Sequence, residues 1–472
     1  MRHSILGAIA LAAIAGAAFA QSEPDAANMK LVGYSDLQGR SADEPAIHEQ
    51  DGRWIAYIGH RGGTEDDPKP LNSLTGRNED NGTSIVDVTD PRHPQYLHHI
   101  PGAPGLGDAG GAPMVRVCDG KTLPKGDPAK TYLLRTYGTS AHEIWDVTRP
   151  SKPELLARIQ DEEGTHRNWW ECDTGIAYLV SGVPGWRVKQ MTQVYNLADP
   201  EHPVYVRNFG LVGQQPGASG TVPPALIGAV STGPQGNRVY FGYGTDKDGI
   251  LQIVDREKLL KGPKEPTPED LLYPQVGRID LSAFTGAHTV FPLLGMAIAE
   301  FAHDAQPKRD FVVVTGDATS NECQEPRQMA WFIDVTSEAR PMTVSSYTPA
   351  EASGDFCTRG GRFGVSAANE NMTPHYYGRL MFFAALNAGV RAVDVRDPYH
   401  PIEVAHYIPA ITPLSDPRCA TIEGNAHCVK TIETDNVEVD DRGYVYIVDS
   451  AGNGMHILEL TGAARRIANF PK

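Results

Sequence analysis

The sequence predicts an all-β fold, and three observations carry that expectation. A short apolar phrase ending in an acidic or amide residue recurs along the chain: TSIVDVTDPRHP from Thr83, HEIWDVTRPSKP from His142, TQVYNLADPEHP from Thr192, LQIVD from Leu251, WFIDVTSEARP from Trp331, RAVDVRDPYHP from Arg391 and MHILEL from Met455. Its polar position falls at Asp87, Asp146, Asn196, Asp255, Asp334, Asp394 and Glu459, in steps of 59, 50, 59, 79, 60 and 65 residues. Each copy follows a β-branched and aromatic run, such as RWIAYIGHR from Arg53, TYLLRTYG from Thr131 or RDFVVVTG from Arg309, the composition of a buried strand. Several copies lead into an Asp-Pro turn. A loose period in this range, carried by strands, predicts the blades of a single seven-bladed β-propeller with four-stranded antiparallel blades.

Within a unit the order reads as an inner strand, the buried apolar strand, the IVDV strand and an outer strand after the second proline. Proline gives no amide hydrogen to a ladder, so it belongs at the entrance to an edge strand. Tyr96 to Ile100, Glu154 to Ile159, Val204 to Phe209, Met342 to Tyr347 and Glu403 to Ile408 fit that place. Leu31 to Leu37 reads as an outer strand with no inner partners, and is expected to close the last blade beside MHILEL; Arg465 to Phe470 competes for the role. The 79-residue step holds a charged, proline-rich stretch with a short helix expected around Pro268 to Leu272, and Asp66 to Asp80 reads as a long polar loop.

The ends and the composition bound the function. Arg2 and His3, the apolar stretch Ile5 to Ala18 and the small-x-small site Ala18-Phe19-Ala20 predict a signal peptide over residues 1–20, a linker over 21–30 and the propeller over 31–472. No later segment has the length and apolarity of a membrane span. The chain carries 42 basic and 58 acidic residues, a net charge of −16. That balance argues against nucleic acid or an anionic membrane as partner. It fits a periplasmic or secreted protein whose partner is an envelope protein, a peptide or a small ligand.

All six cysteines lie after the cleavage site, which in an oxidising compartment predicts disulfides. Cys419 and Cys428 are near enough to staple one loop, Cys118 and Cys172 occupy equivalent places in adjacent repeats, and Cys323 and Cys357 remain.

IVDV followed by a DPxxP turn, repeated in a chain with an export signal, resembles the LVIVD-repeat propellers of bacterial secreted proteins. The likeness runs from about Leu31 to Leu460 and includes Asp435 to Tyr444, DNVEVDDRGY. The resemblance implies the fold and an exported location, and attaches no reaction and no catalytic positions.

Inner strands line the axis of a propeller, so polar residues there are the candidate site. Three repeats place a histidine in the frame Ala46-Ile47-His48, Gly164-Thr165-His166 and Gly286-Ala287-His288, and a fourth, Gly364-Val365-Ser366, has serine. With Asn369 and Glu370 these six residues form the expected channel site. Converging imidazoles suit a transition metal or a carboxylate-bearing ligand; the competing role for each is a hydrogen bond to a neighbouring blade. Asn168-Trp169-Trp170-Glu171 with Pro184-Gly185-Trp186-Arg187 offers an aromatic surface, and Asn321 to Glu325 with Arg359 and Arg362 a charged rim. The chain lacks GxSxG and a P-loop, so no catalytic residue is assigned, and metal and cofactor stay open. The reading is a binding scaffold with its ligand at the channel mouth or loop rim. Its rival is a metal-assisted hydrolase or lactonase-like enzyme using the same channel.

Overall fold

A computed structural model describes residues 23–350, 355–371 and 375–470; the expected signal peptide at 1–20 lies outside them. The described chain is all-β, built from sets of four antiparallel strands. Set one is Ala42–Gln50, Arg53–Arg61, Gly82–Asp87 and Gln95–Pro101; set two is Val115–Asp119, Thr131–Tyr137, Ala141–Asp146 and Glu154–Ile159. Set three is Asn168–Trp170, Ile176–Ser181, Met191–Asn196 and Val204–Phe209; set four is Leu226–Ser231, Arg238–Tyr243, Ile250–Asp255 and Gln275–Asp280. Set five is Thr289–Ala297, Lys308–Thr315, Ala330–Asp334 and Met342–Tyr347. A nine-stranded sheet holds two more sets, joined through the single register pair Leu386↔Thr434. One comprises Phe363–Ala368, Leu380–Leu386, Val390–Asp394 and Ile402–Ile408; the other comprises Thr434–Val439, Tyr444–Asp449, Met455–Leu460 and the N-terminal Met29–Ser35.

The repeated phrase has a local cause. In each set the third and fourth strands share a register shift beside the motif, for example between Ile144 and Trp145, Val194 and Tyr195, and Phe332 and Ile333. Such a bulge sharpens the local twist. The polar residue then ends the strand as an Asx turn: Asp87 accepts from the Thr89 amide at 2.8 Å, Asp146 from Thr148 at 3.0 Å, Asn196 from Ala198 at 2.9 Å and Asp334 from Thr336 at 2.8 Å. Where the repeat departs, the cap changes use. Asp255 accepts from the Lys258 amide at 2.9 Å and starts the helix Arg256–Lys261.

The apolar second strands are buried on both faces, which is why they read as continuous hydrophobic runs. Alternate residues serve alternate neighbours. Ile55 and Tyr57 pack with Val115 and Leu133 of set two, while Ala56 and Ile58 pack with Tyr446, Val448 and Ile457 of the last set. The same division gives one apolar cluster between each pair of consecutive sets. First strands lie side by side in chain order, and Thr434–Val439 lies against Ala42–Gln50, so the series returns to its start. These features are consistent with a β-propeller.

Several expectations meet the structure directly. Met29–Ser35 pairs with Met455–Leu460, the place expected of the N-terminal strand. The competing segment instead holds the helix Gly462–Ile467. The stretch expected as a linker is partly a strand: Asp25–Ala27 pairs with Ile402–Ile408. The helix Pro268–Leu272 forms, capped by the Thr267 side chain. Inside the long polar loop a small hairpin joins Leu71–Asn72 to Arg77–Asn78. Three disulfides link Cys118 to Cys172, Cys323 to Cys357 and Cys419 to Cys428. The last staples directly opposed residues of the hairpin Pro417–Ile422 and Asn425–Lys430.

Candidate functional site

The first strands surround a channel, and register decides which of their residues meet. The His166 amide donates to the Val180 carbonyl at 3.0 Å and the His288 amide to the Thr315 carbonyl at 2.6 Å. Val180 and Thr315 each lie four residues beyond the partner of the motif's polar residue. The counterpart in set one is Gly59, and its neighbours are Asp43 and Glu44, inside the shift between Ala42↔His60 and Pro45↔Ile58. His48 pairs with Ile55, at the other end of the strand, and its Nε2 meets Asp119 Oδ1 at 2.9 Å. The expected trio of histidines is therefore a pair. The sequence frame aligns triplets and not register: His48 lies level with Ile55, four residues before Gly59, and so at the opposite rim.

His166 and His288 do meet, edge to face with ring centroids 6.0 Å apart. Gly286 makes this possible, because a Cβ there would lie 1.8 Å from the Thr245 carbonyl oxygen. His288 Nδ1 bonds the Ser366 carbonyl at 3.0 Å, and His166 Nδ1 is buried without a partner. Burial, reinforced by Arg167, lowers both imidazoles, His166 to about 4. Both are neutral at pH 7.

The two rings line a funnel of about 720 Å³ at one mouth of the channel. Two arginines organise its wall. Arg61 pairs with Asp43 at 2.5 Å, Asp435 at 3.2 Å and Asp108 at 3.4 Å; Arg362 pairs with Asp435 at 3.0 Å, Glu433 at 3.3 Å and Asp317 at 3.5 Å. Arg418 adds a contact to Glu433 at 3.0 Å. Burial opposes ionisation of Glu433, but Arg362 and Arg418 overcome it and hold the carboxyl at about 2. Asp43 and Asp317 go the other way. Burial lifts them to about 7 and about 6, with Asp435 adding repulsion and the arginines resisting. Acid outnumbers base in this wall, and two carboxyls give way first.

Below the funnel lies a second charged layer. Arg116 bridges Glu44 and Glu370, and Arg167 reaches Glu370 at 2.7 Å. Glu438 faces the same space; burial, with Glu370 and Asp440 adding repulsion against Arg116, pushes its carboxyl to about 8. Glu370 thus reaches the channel, as an ion-pair partner of two arginines. Ser366 and Asn369 do not offer their side chains to it. Ser366 Oγ donates to the Asp435 carbonyl at 3.3 Å, and Asn369 Oδ1 accepts from the Phe382 amide at 2.8 Å while its Nδ2 donates to Tyr376 Oη at 3.2 Å. Both fasten the strands of their own sheets.

Among the described residues no three His, Cys, Asp or Glu side chains come together in a way that could hold a metal ion. The site can instead hold polar groups through fixed charges and two neutral imidazoles. The tryptophan-rich segment packs: Trp170 between sets two and three, Trp169 and Trp186 toward set four. Arg362, expected on a charged rim, stands in the funnel wall. Arg61, Asp317, Asp435, Arg116 and Arg167 belong to the site without being among the residues expected from the sequence. A usable signal exists, because Arg61 and Asp317 are the first fully charged residues after an uninterrupted apolar run, three positions past its last aliphatic residue.

No family model and no curated protein matches this chain. Among solved structures, the crystal structure of Chaetomium thermophilum Sqt1 is similar over 92% of this chain and 99% of that chain, with 10% identity and a TM-score of 0.49.

Proposed function

We propose that this protein is an exported, seven-bladed β-propeller of the LVIVD-repeat type that acts as a binding scaffold, with its ligand in the funnel between His166, His288, Arg61 and Arg362. One observation carries the reading. A cavity of about 720 Å³, the size of an ordinary ligand pocket, is walled by the charges of Arg61, Arg362, Asp317 and Glu433 beside two neutral imidazoles. The closing N-terminal strand and the unbroken series of first strands support the ring of seven. Disulfides support an oxidising location.

The rival, a metal-assisted hydrolase or lactonase-like enzyme, requires ligands converging on one ion with an open position. Displacement of His48 removes the third imidazole on which that reading stood.

Thr245, half-buried on the funnel wall, gives a test that spares the core. Protein purified from its own cells is examined by native mass spectrometry beside Thr245→Trp, with melting temperature as the folding control. The reading expects a bound species on the wild type, absent from a variant that melts normally. A bound species retained by Thr245→Trp, or none on either protein after incubation with cell extract, contradicts it.

A further inference from the structure

Gln190, Ile227 and Thr245 line the funnel and also line a second cavity of about 740 Å³. This groove passes over the loops of set four, from Ile227 on the first strand to Asp280 on the fourth. Either space alone matches a small-molecule pocket of ~300–1,000 Å³; joined, they suit a longer ligand. The groove combines apolar Val222, Pro224 and Leu281 with the carboxylates of Asp246 and Asp248.

Charge on these walls is unequally engaged. Arg61, Arg362 and Arg418 already face carboxylates, and Arg278 in the groove pairs with Asp280 at 2.6 Å. Glu65, Asp246 and Asp248 pair with no cation among the described residues, against one such lysine, Lys247. On the funnel wall, beside the junction residue Thr245, stands Asp317, only 7% exposed. Its amide donates to the Thr245 carbonyl at 2.8 Å, and its Oδ2 faces Arg362 at 3.5 Å. Its Oδ1 is buried with no hydrogen-bond partner. An orphaned buried acceptor is costly, and a cationic donor supplied by a ligand removes that cost.

We propose that funnel and groove together bind an extended basic peptide, one lysine or arginine of which enters the funnel and donates to Asp317 Oδ1. Neighbouring residues of that peptide lie along the groove, basic side chains toward Asp246 and Asp248 and apolar ones toward Val222, Pro224 and Leu281. The chain's own excess of acid draws such a partner in. This inference rests on the funnel being a binding site and names what fills it.

The test uses the purified protein and three probes: a fluorescent Lys-Val-Lys-Val-Lys-Val peptide, its Glu-Val counterpart, and spermidine as competitor. Anisotropy is expected to show saturable binding of the lysine peptide only. Asp317→Asn weakens it about tenfold, and Asp246→Asn with Asp248→Asn weakens it about threefold with a shallower salt dependence. Melting temperature checks folding; should Asp317→Asn fail to fold, the double variant on the groove decides alone. Equal binding of the glutamate peptide, or no binding of the lysine peptide, overturns the proposal. Full displacement by spermidine together with indifference to the groove variant also overturns it, leaving a small-cation funnel. In each case native mass spectrometry of the wild type beside Thr245→Trp still judges whether any ligand is bound there, whatever its chemistry.

Discussion

The two rims of the ring differ in kind. One rim is repetitive: Asp90 with His93 at 2.8 Å, Asp199 with His202 at 3.0 Å and Asp397 with His400 at 3.0 Å are the same turn made three times. Those histidines are 77–79% exposed and pair with no other charged group among the described residues. The funnel rim is irregular. Its loops carry the small hairpin at 71–78, the stapled hairpin at 417–430 and the Cys323–Cys357 bridge, and no two walls of the funnel repeat each other. What recurs holds most of the ring together; departures from the repeat build the site on one rim and, at Glu171 and Arg256, add a brace on the other.

The largest expected effect lies where the repeated rim was modified. Glu171, buried, holds Arg256 at 2.6 Å and accepts from Ser231 and Tyr178, tying set three to set four. Glu171→Ala strands the Arg256 charge and is expected to cost about 4 kcal/mol in urea unfolding. A loss below about 1 kcal/mol would show that this departure does not brace the ring. Next comes Leu134→Ala, fully buried between sets two and three, expected to cost about 3 kcal/mol. Below its melting point this variant keeps funnel binding; loss of binding there breaks the division between repeat and site.

Glu438 has its folded carboxyl raised to about 8, so its proton is held more tightly folded than unfolded. Its stabilising contribution is complete below the unfolded value and is lost as pH rises through about 8. The stability difference between Glu438→Gln and wild type therefore grows in favour of the variant from pH 5 to pH 9. A difference that stays constant across that range contradicts the assignment. The smallest effect belongs to His202→Ala on the repetitive rim, which is expected to leave the melting temperature within about 1 °C. A clear drop would give those turns a structural weight their exposure denies.

The architecture was legible because its signals are local. An Asx turn needs Asp or Asn at one position, a buried strand needs an unbroken apolar run, and an edge needs proline; each of these is written in consecutive residues. Even the closing strand could be read, since Leu31 to Leu37 had no inner partners beside it. The site was less legible because it depends on register across distant strands. His166 and His288 share a level, but His48 pairs with Ile55, four residues along the strand from the equivalent Gly59. Arg116 and Glu370 stand 254 residues apart and meet only when the ring closes. No frame of neighbouring residues encodes that meeting.

Amide hydrogen exchange across the two rims, with and without host extract containing the natural ligand, distinguishes a binding rim from a structural one. Ligand is expected to slow exchange in the loops at 62–67, 104–109, 244–249 and 317–321, and to leave the turns 90–94, 199–203 and 397–401 unchanged. Protection confined to those turns, or shared equally by both rims, would contradict that division.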